Sequence, residues 1–408
     1  MKEFSYPKNK IKVLLLEKVD DVAIKLFKNE GYSVETYEGS MDEEELIKKI
    51  NDVSILGIRS KTNITDKVIK AGKRLMCIGA FCIGTNQIKL ESCANSGVII
   101  FNAPFSNTRS VVEIVIGQII NLTRKIVEKS NEMHNGIWKK DSIGSYEIRN
   151  KTIGIIGYGN IGSQLSVICE SIGMKVLYYD IIDKLSLGNA KKLQSLKDLL
   201  KKSDIISLHV DGRKENTNLI SYKEFDLMKK NAILINYSRG NIVDIEALKK
   251  NIESEKLMGA ALDVFPSEPL NNDEKFNSAL KGLKNIILSP HIGGSTKEAQ
   301  KNIGSYVPEK IIDFINSGNT SNSVNFPQLS LPEQMESHRL IHIHKNQTGV
   351  MLEINKIISD YGINIKGQYL KTLNNIGYVI TDIDRQYNKE VVNSLKKINE
   401  TIKIRVLY

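Results

Sequence analysis

The sequence predicts an α/β fold in three parts: two doubly wound parallel-sheet domains, one inserted into the other, and a small C-terminal module. Three observations predict it. Strand-like apolar runs alternate with helical patterns over the first hundred residues, and a second such series begins at residue 152 with a glycine-rich turn. Residues 296–316 then read as one more helix, too short to be a domain, so the chain crosses back to the first series after about residue 295. The last 70 residues read strand, helix, strand, strand, helix, strand.

The elements follow in order. "IKVLLL" (11–16) reads as a buried strand, 20–30 as a helix, "YSVETY" (32–37) as a strand and "DEEELIKKI" (42–50) as a helix. "VSILGIRS" (53–60), "LMCIGAFCIG" (75–84) and "VIIFN" (98–102) continue the strands. Residues 110–138 have helical apolar spacing throughout. The second series has strands at 175–180, 204–210, 232–238, 259–264 and 285–290. "NSGNTSNSVNFPQLSLP" (316–332) is polar with two prolines and reads as a linker. The tail reads strand 338–344, helix 347–360, strand 363–371, strand 376–383, helix 388–397 and strand 401–407, the ferredoxin-like βαββαβ order.

Composition excludes several classes. The chain has 408 residues, 41% hydrophobic and 25% charged, which suits two or three globular domains. Four scattered cysteines with no C-x-x-C pair argue against a disulfide framework or a metal-thiolate site. The N-terminal apolar run is too short for a signal peptide, and no stretch is long enough to span a bilayer, so a cytoplasmic protein with no membrane partner is expected. Net charge is +10, but the lysines are dispersed and not interleaved with aromatics, so nucleic acid is not expected as a partner. A mildly basic surface would attract a small anion instead.

The chemistry starts at "TIGIIGYGNIGSQ" (152–164). Gly157, Gly159 and Gly162 form G-x-G-x-x-G between a strand and a helix, with Asp180 ending the next strand. The first glycine permits the turn, the second lets a pyrophosphate approach, and the third lets helix and strand pack. The helix N-terminus favours the anion, and Asp180 would accept from a ribose 2′-hydroxyl and repel a 2′-phosphate. This Rossmann pattern predicts NAD as cofactor. Arg239, Glu268 and His291 then fall after three successive strands. An arginine offers a fork for a carboxylate, a histidine exchanges a proton near neutrality, and a carboxylate beside it stabilises the imidazolium. That is the set a 2-hydroxy-acid dehydrogenase needs. His342 and His344 share one face of a strand and could in principle hold a metal, but none is expected.

The motifs "IGAFCIGTNQI", "GIIGYGNIGSQL", "SRGNIVDIEAL", "ALDVFPSEP" and "IHIHKNQTGV", with "VIIFNAPFSNTRSVVEIVIGQ" and "SPHIGGSTKEAQ", run nearly end to end. On them the chain resembles the D-isomer-specific 2-hydroxy-acid dehydrogenases of the type with a C-terminal ACT domain. The resemblance implies a flavodoxin-like substrate domain (1–106 and 296–326), an inserted Rossmann NAD domain (107–295), a linker (327–336) and an ACT regulatory domain (337–408). It implies oxidation of 3-phosphoglycerate to 3-phosphohydroxypyruvate, the first step of serine synthesis. Arg239, Glu268 and His291 would be catalytic. Asn160, Ile161, Asp180, Tyr237, Ser238, Arg239, Asp263 and His291 with Ile292, Gly293 and Gly294 would line the cofactor site. Arg59, Ser60, Lys61, Asn107 and Lys140 would meet the substrate, Lys61 standing where an arginine is common and Tyr237 where a small residue is usual. His344, Asn346 and Asn364 would bind L-serine as effector in a homo-oligomer, a tetramer by resemblance. Two alternatives stay open: the same chemistry on 2-oxoglutarate, hydroxypyruvate or glyoxylate, and a non-catalytic dinucleotide sensor.

Overall fold

The computed structural model describes residues 7–269, 273–332, 338–384 and 389–407. Contacts divide the chain into two compact units, Met1–Ser106 with Gln300–Tyr408, and Asn107–Ala299.

In the first unit, strands β1 (Lys12–Leu15), β2 (Ser33–Thr36), β3 (Ile55–Ile58), β4 (Cys77–Ala80) and β5 (Ile99–Asn102) form a parallel sheet in the order β2-β1-β3-β4-β5. Residues of β1, β3, β4 and β5 are buried on both faces, which is why they read as continuous apolar runs. The flanking helices start where the sequence supplies caps. The Asp20 side chain accepts from Val22 N, and Asp42 with Glu45 forms a capping box. Strand order reverses between β1 and β3, so their C-terminal loops border a crevice.

In the second unit, β6 (Thr152–Ile156), β7 (Lys175–Tyr179), β8 (Lys191–Lys192), β9 (Ile205–Leu208), β10 (Ala232–Asn236), β11 (Leu257–Leu262) and β12 (Ile286–Leu288) form a parallel sheet in the order β12-β11-β10-β9-β6-β7-β8. Its reversal lies between β6 and β9. The helical stretch expected over 110–138 is two helices, Thr108–Arg124 and Ile126–His134. Lys125 between them has a left-handed backbone, φ 52°. Apolar spacing carries no sign of such a break.

Strands β13 (His338–Lys345), β14 (Ile365–Leu373), β15 (Ile376–Ile383) and β16 (Thr401–Leu407) form an antiparallel sheet in the order β14-β15-β13-β16, as the βαββαβ reading requires. Leu340 packs with Ile354, Ile358, Val391 and Leu395 of the two helices Val350–Asp360 and Lys389–Lys396. On the other face Ile341, Ile343, Tyr378 and Ile380 join Phe101, Phe314 and Phe326 in one core. Both faces are covered, so β13 and β15 are buried along most of their length instead of alternating.

The polar stretch read as a linker is an ordered, buried segment through residue 329. Ser317, Thr320 and Asn325 are each under a tenth exposed. Asn325 Oδ1 accepts from Ile100 N at 2.9 Å while its Nδ2 donates to Val98 O at 3.0 Å, and Thr320 Oγ1 donates to Pro327 O at 2.6 Å. These side chains are polar because they satisfy buried backbone groups, not because they face water. Residues 333–336 of the expected linker lie outside the described residues.

Candidate active site

The glycine turn has the form its spacing implies. Gly157 takes φ 91°, and a Cβ there would lie 2.6 Å from His209 O. A Cβ on Gly162 would lie 2.2 Å from Gly157 O, so only glycine lets the helix Asn160–Ser171 start this close to the strand end. Around Gly159 nothing lies within 4 Å of such an atom. That open cradle, at the N-terminus of a 12-residue helix, fits a pyrophosphate. Asn160 is exposed and Ile161 half-buried beside it. Asp180 accepts from Tyr158 N at 2.7 Å and from Ile182 N at 2.9 Å, which ties the turn to the end of β7. The residues present fit a dinucleotide with an unmodified ribose.

Arg239, Glu268 and His291 are brought together. Beyond β10, the fully buried Asn236 folds the next turn: its Oδ1 accepts from Ser238 N and Oγ, and its Nδ2 donates to Arg239 O. Gly240 then packs directly on the Phe265 backbone, where a Cβ would lie 2.0 Å from the carbonyl carbon. This presses the Arg239 turn against the loop that carries Glu268. Phe265 N donates to Glu268 Oε1 at 3.0 Å, and Glu268 Oε2 lies 2.7 Å from His291 Nδ1. The Glu268 hydrogen bond holds the imidazole above the usual histidine range. Burial alone would raise Glu268, but the hydrogen bonds from His291 and Phe265 N and the charges of His291 and Arg239 bring it below the usual carboxylate range. With Nδ1 on the carboxylate, Nε2 is left to meet a substrate.

The His291 turn is held from beneath. His291 has a left-handed backbone, φ 53°. Its N–H donates to Asp263 O at 2.9 Å, while Ile292 N and Gly293 N donate to the Asp263 carboxylate at 2.9 and 2.7 Å. Asp263 is 2% exposed. Burial raises it above the usual carboxylate range against these hydrogen bonds. Expected among the cofactor-lining residues, it accepts from the turn with both carboxylate oxygens and from Ser289 Oγ with one of them. Tyr237 and Ser238 are buried as well, whereas Ile292 is exposed and Gly294 half-buried. The Gly294 backbone lies against the Asn107 side chain. Neither Asn236 nor Gly240 was singled out from sequence. "N-Y-S-R-G" carries both, but an asparagine before a turn does not announce which carbonyl it will hold.

In the first unit, Arg59, Ser60 and Lys61 follow β3, with Arg59 half-buried and the other two exposed. Glu17, buried at the end of β1, accepts from Lys61 N at 3.0 Å and from Thr62 N at 2.9 Å. Glu17 and Lys18 both have left-handed backbones, φ 62° and 51°, a costly arrangement for non-glycine residues that this grip stabilises. Gln87 Nε2 holds Arg59 O at 2.5 Å. Sequence reasoning missed Glu17, whose partners are more than 40 positions away. Lys140 lies on an exposed segment next to Trp138, which is 77% exposed.

The expected effector residues are not brought together within one chain. His344 and Asn346 lie at the end of the sheet where Lys345 pairs with Ile376. Asn364 precedes Ile365, which pairs with Ile383 at the opposite end. Seven residues of strand separate the two ends by roughly 20 Å. His344 is 2% exposed, and its Nε2 is buried with no hydrogen-bond partner. His342 is neutral, its pKa pushed down to about 3 by burial and by His344. Among the described residues no cluster of three or more metal-ligating side chains occurs, and no helix is long and apolar enough to cross a membrane.

Comparison with known proteins agrees with this geometry. Residues 116–293 match the model of the D-isomer specific 2-hydroxyacid dehydrogenase NAD binding domain, and residues 340–403 match an AHAS small subunit-like ACT domain. The chain is 48% identical over 404 residues to a D-3-phosphoglycerate dehydrogenase of Dictyostelium discoideum, covering 99% of each chain. It is 47% identical over 411 residues to that of Escherichia coli K12, covering 100% of each. A solved D-lactate dehydrogenase from Aquifex aeolicus, complexed with NAD and lactic acid, superposes with a TM-score of 0.66 at 26% identity, over 74% of this chain and 95% of that one. A glycine cradle followed by a converging arginine, glutamate and histidine, on a chain related end to end to these enzymes, means that this protein belongs to the D-isomer specific 2-hydroxyacid dehydrogenases, in the D-3-phosphoglycerate dehydrogenase branch that carries an ACT domain.

Proposed function

We propose that the chain oxidises 3-phosphoglycerate to 3-phosphohydroxypyruvate with NAD⁺, the first step of serine synthesis. The observation that carries this is the Glu268–His291 pair at 2.7 Å beside Arg239, in the unit that bears the glycine cradle. NAD⁺, held by the glycine turn and Asp180, supplies the two-electron acceptor when bound. Arg239 binds the substrate carboxylate with its guanidinium fork. His291 Nε2 accepts the C2 hydroxyl proton, and Glu268 stabilises the imidazolium and fixes its tautomer. Arg59, Ser60 and Lys61 take the phosphate, with Asn107 and Lys140 as further contacts. Lys61 keeps the charge of an arginine without its fork.

The ACT domain suits an amino-acid effector, which we read as L-serine. His344 and Asn346 from one copy and Asn364 from another would make its site. That requires a homo-oligomer, read here as a tetramer. Exposed Ile126, Val127, Met133 and Trp138 supply apolar surface for such contacts. The chain would divide into a substrate domain of 1–106 with 296–326, an NAD domain of 107–295, a linker of 327–336 and an ACT domain of 337–408. Four scattered cysteines with no C-x-x-C pair support a cytoplasmic setting.

The test follows NADH oxidation with phosphohydroxypyruvate. Turnover there, lost by roughly 10–100-fold in Arg59→Ala with Lys61→Ala but retained on unphosphorylated hydroxypyruvate, supports the reading. Preference for 2-oxoglutarate, hydroxypyruvate or glyoxylate would overturn the phosphate assignment. NADH binding without turnover on any 2-oxo acid would make the chain a dinucleotide sensor.

A further inference from the structure

We propose that Tyr237 is a positioning residue for His291, acting through a directed hydrogen-bond chain from its phenol to Ser289 and on to Asp263. The inference rests on His291 being the acid/base of the reaction proposed above. Tyr237 is 6% exposed, on the turn that leads to Arg239. Its hydroxyl lies 3.0 Å from Ser289 Oγ, and Ser289 Oγ donates to Asp263 Oδ1 at 2.6 Å. Serine has one proton, and it is spent on Asp263. The phenol therefore donates to Ser289, and the chain has a direction: Tyr237 to Ser289 to Asp263.

The end of the chain is the group that shapes the catalytic turn. Asp263 holds Ile292 N and Gly293 N with its carboxylate and His291 N with its carbonyl. The tyrosine ring also lies under this turn. A Cβ on Gly293 would lie 3.1 Å from Tyr237 Cδ1 and 2.9 Å from Asp263 Oδ2. A buried carboxylate polarised by a chain of hydroxyls stays ionised more readily than one facing apolar atoms, because each donor compensates lost hydration. His291 carries a left-handed backbone, which persists only where its surroundings over-determine it. Tyr237 and Ser289 supply part of that constraint through Asp263, while the imidazole itself bonds Glu268. The Gln118 side chain also reaches the phenol from the helix Thr108–Arg124, which fixes the ring in turn.

The experiment compares Tyr237→Phe, Ser289→Ala, Ser289→Thr and the Tyr237→Phe/Ser289→Ala double variant in the full-length enzyme, with phosphohydroxypyruvate and 3-phosphoglycerate. Tyr237→Phe keeps the ring and should lower kcat by roughly 3–10-fold, with KM for both substrates within about twofold. Ser289→Ala should cost more, about 10–100-fold, because it leaves a buried carboxylate oxygen short of a donor. Ser289→Thr should restore most of the rate. The double variant should be no slower than Ser289→Ala, since the two act in one chain.

The pH profile separates positioning from mere packing. His291 faces Glu268, Asp263 and Arg239. A slackened turn weakens its bond to Glu268, so the acidic limb of the oxidation profile should move to lower pH in Tyr237→Phe. Wild-type kcat and an unmoved limb in Tyr237→Phe would overturn the proposal. So would losses that multiply in the double variant, or a change confined to KM. If Tyr237→Phe does not fold, as judged by circular dichroism, the Ser289→Ala and Ser289→Thr pair decides on the same criteria. An inactive wild-type enzyme would instead sink the functional reading beneath it.

Discussion

Glu268→Gln should move the pH dependence of the reaction by an amount the structure sets. The two groups face each other across a 2.7 Å hydrogen bond, which places their charge centres roughly 4 Å apart. Coulomb attraction at that range is about 1–4 kcal/mol for effective dielectric constants between about 80 and 20. The His291 side chain is 52% exposed and that of Glu268 32%, so solvent and salt screen the pair and the low end applies. About 1 kcal/mol of attraction is therefore what the substitution removes. The sign follows from the direction of the shift. Glu268 raises His291, so removing its charge lowers it. Oxidation needs the neutral imidazole, so its acidic limb should shift to lower pH. Reduction needs the imidazolium, so its activity should fail at correspondingly lower pH. Turnover should also fall by about 10²-fold or more, since the imidazolium formed in the reaction loses its counter-charge and its fixed tautomer. The assay is kcat/KM against pH in both directions. A limb that stays put, or moves up, would refute the pairing as the source of the shift.

Other expectations follow from single contacts. Asp180→Ala should raise KM for NAD⁺ by roughly 10–100-fold with kcat little changed, and should narrow the gap between NAD⁺ and NADP⁺, measured in parallel titrations. Gly240→Ala places a methyl 2.0 Å from the Phe265 carbonyl carbon, so the Glu268 loop must shift; kcat should drop more than about tenfold, along with Tm in a thermal scan. Asp382→Asn breaks a bidentate pair with Arg339 in which both side chains are at most 4% exposed; it should cost about 3–5 kcal/mol of local stability, read as faster amide exchange in β13 and β15, with the chemistry of the second unit spared.

Legibility differed by residue. Strands β1, β3, β4, β5, β6, β9, β10 and β11 were legible because, buried along nearly their whole length, they appear as apolar runs, whereas the two-residue β8, Lys191–Lys192, carries no such signal and was missed. The glycine turn was legible because three local constraints need glycine at fixed offsets. Arg239, Glu268 and His291 were legible because each follows a recognisable strand, and in parallel sheets strand ends face the crevice. The break at Lys125 was not, since a lysine in a left-handed conformation leaves no mark on helical periodicity. The segment 316–329 was misread because serine, threonine and asparagine look the same whether they hold water or a buried carbonyl.

Strand positions, cofactor type and the candidate reacting side chains were therefore legible in local pattern: apolar runs, glycine spacing and residue chemistry act over a few positions and survive in one dimension. The supports were decided in three dimensions. Glu17 grips amides 44 and 45 residues away, and Asp263 grips a turn 29 and 30 residues on. Asn364 is carried to the far end of a sheet from His344. A carboxylate or amide acquires such a partner only when the chain has closed the loop between them, and no short-range rule records which loops will close.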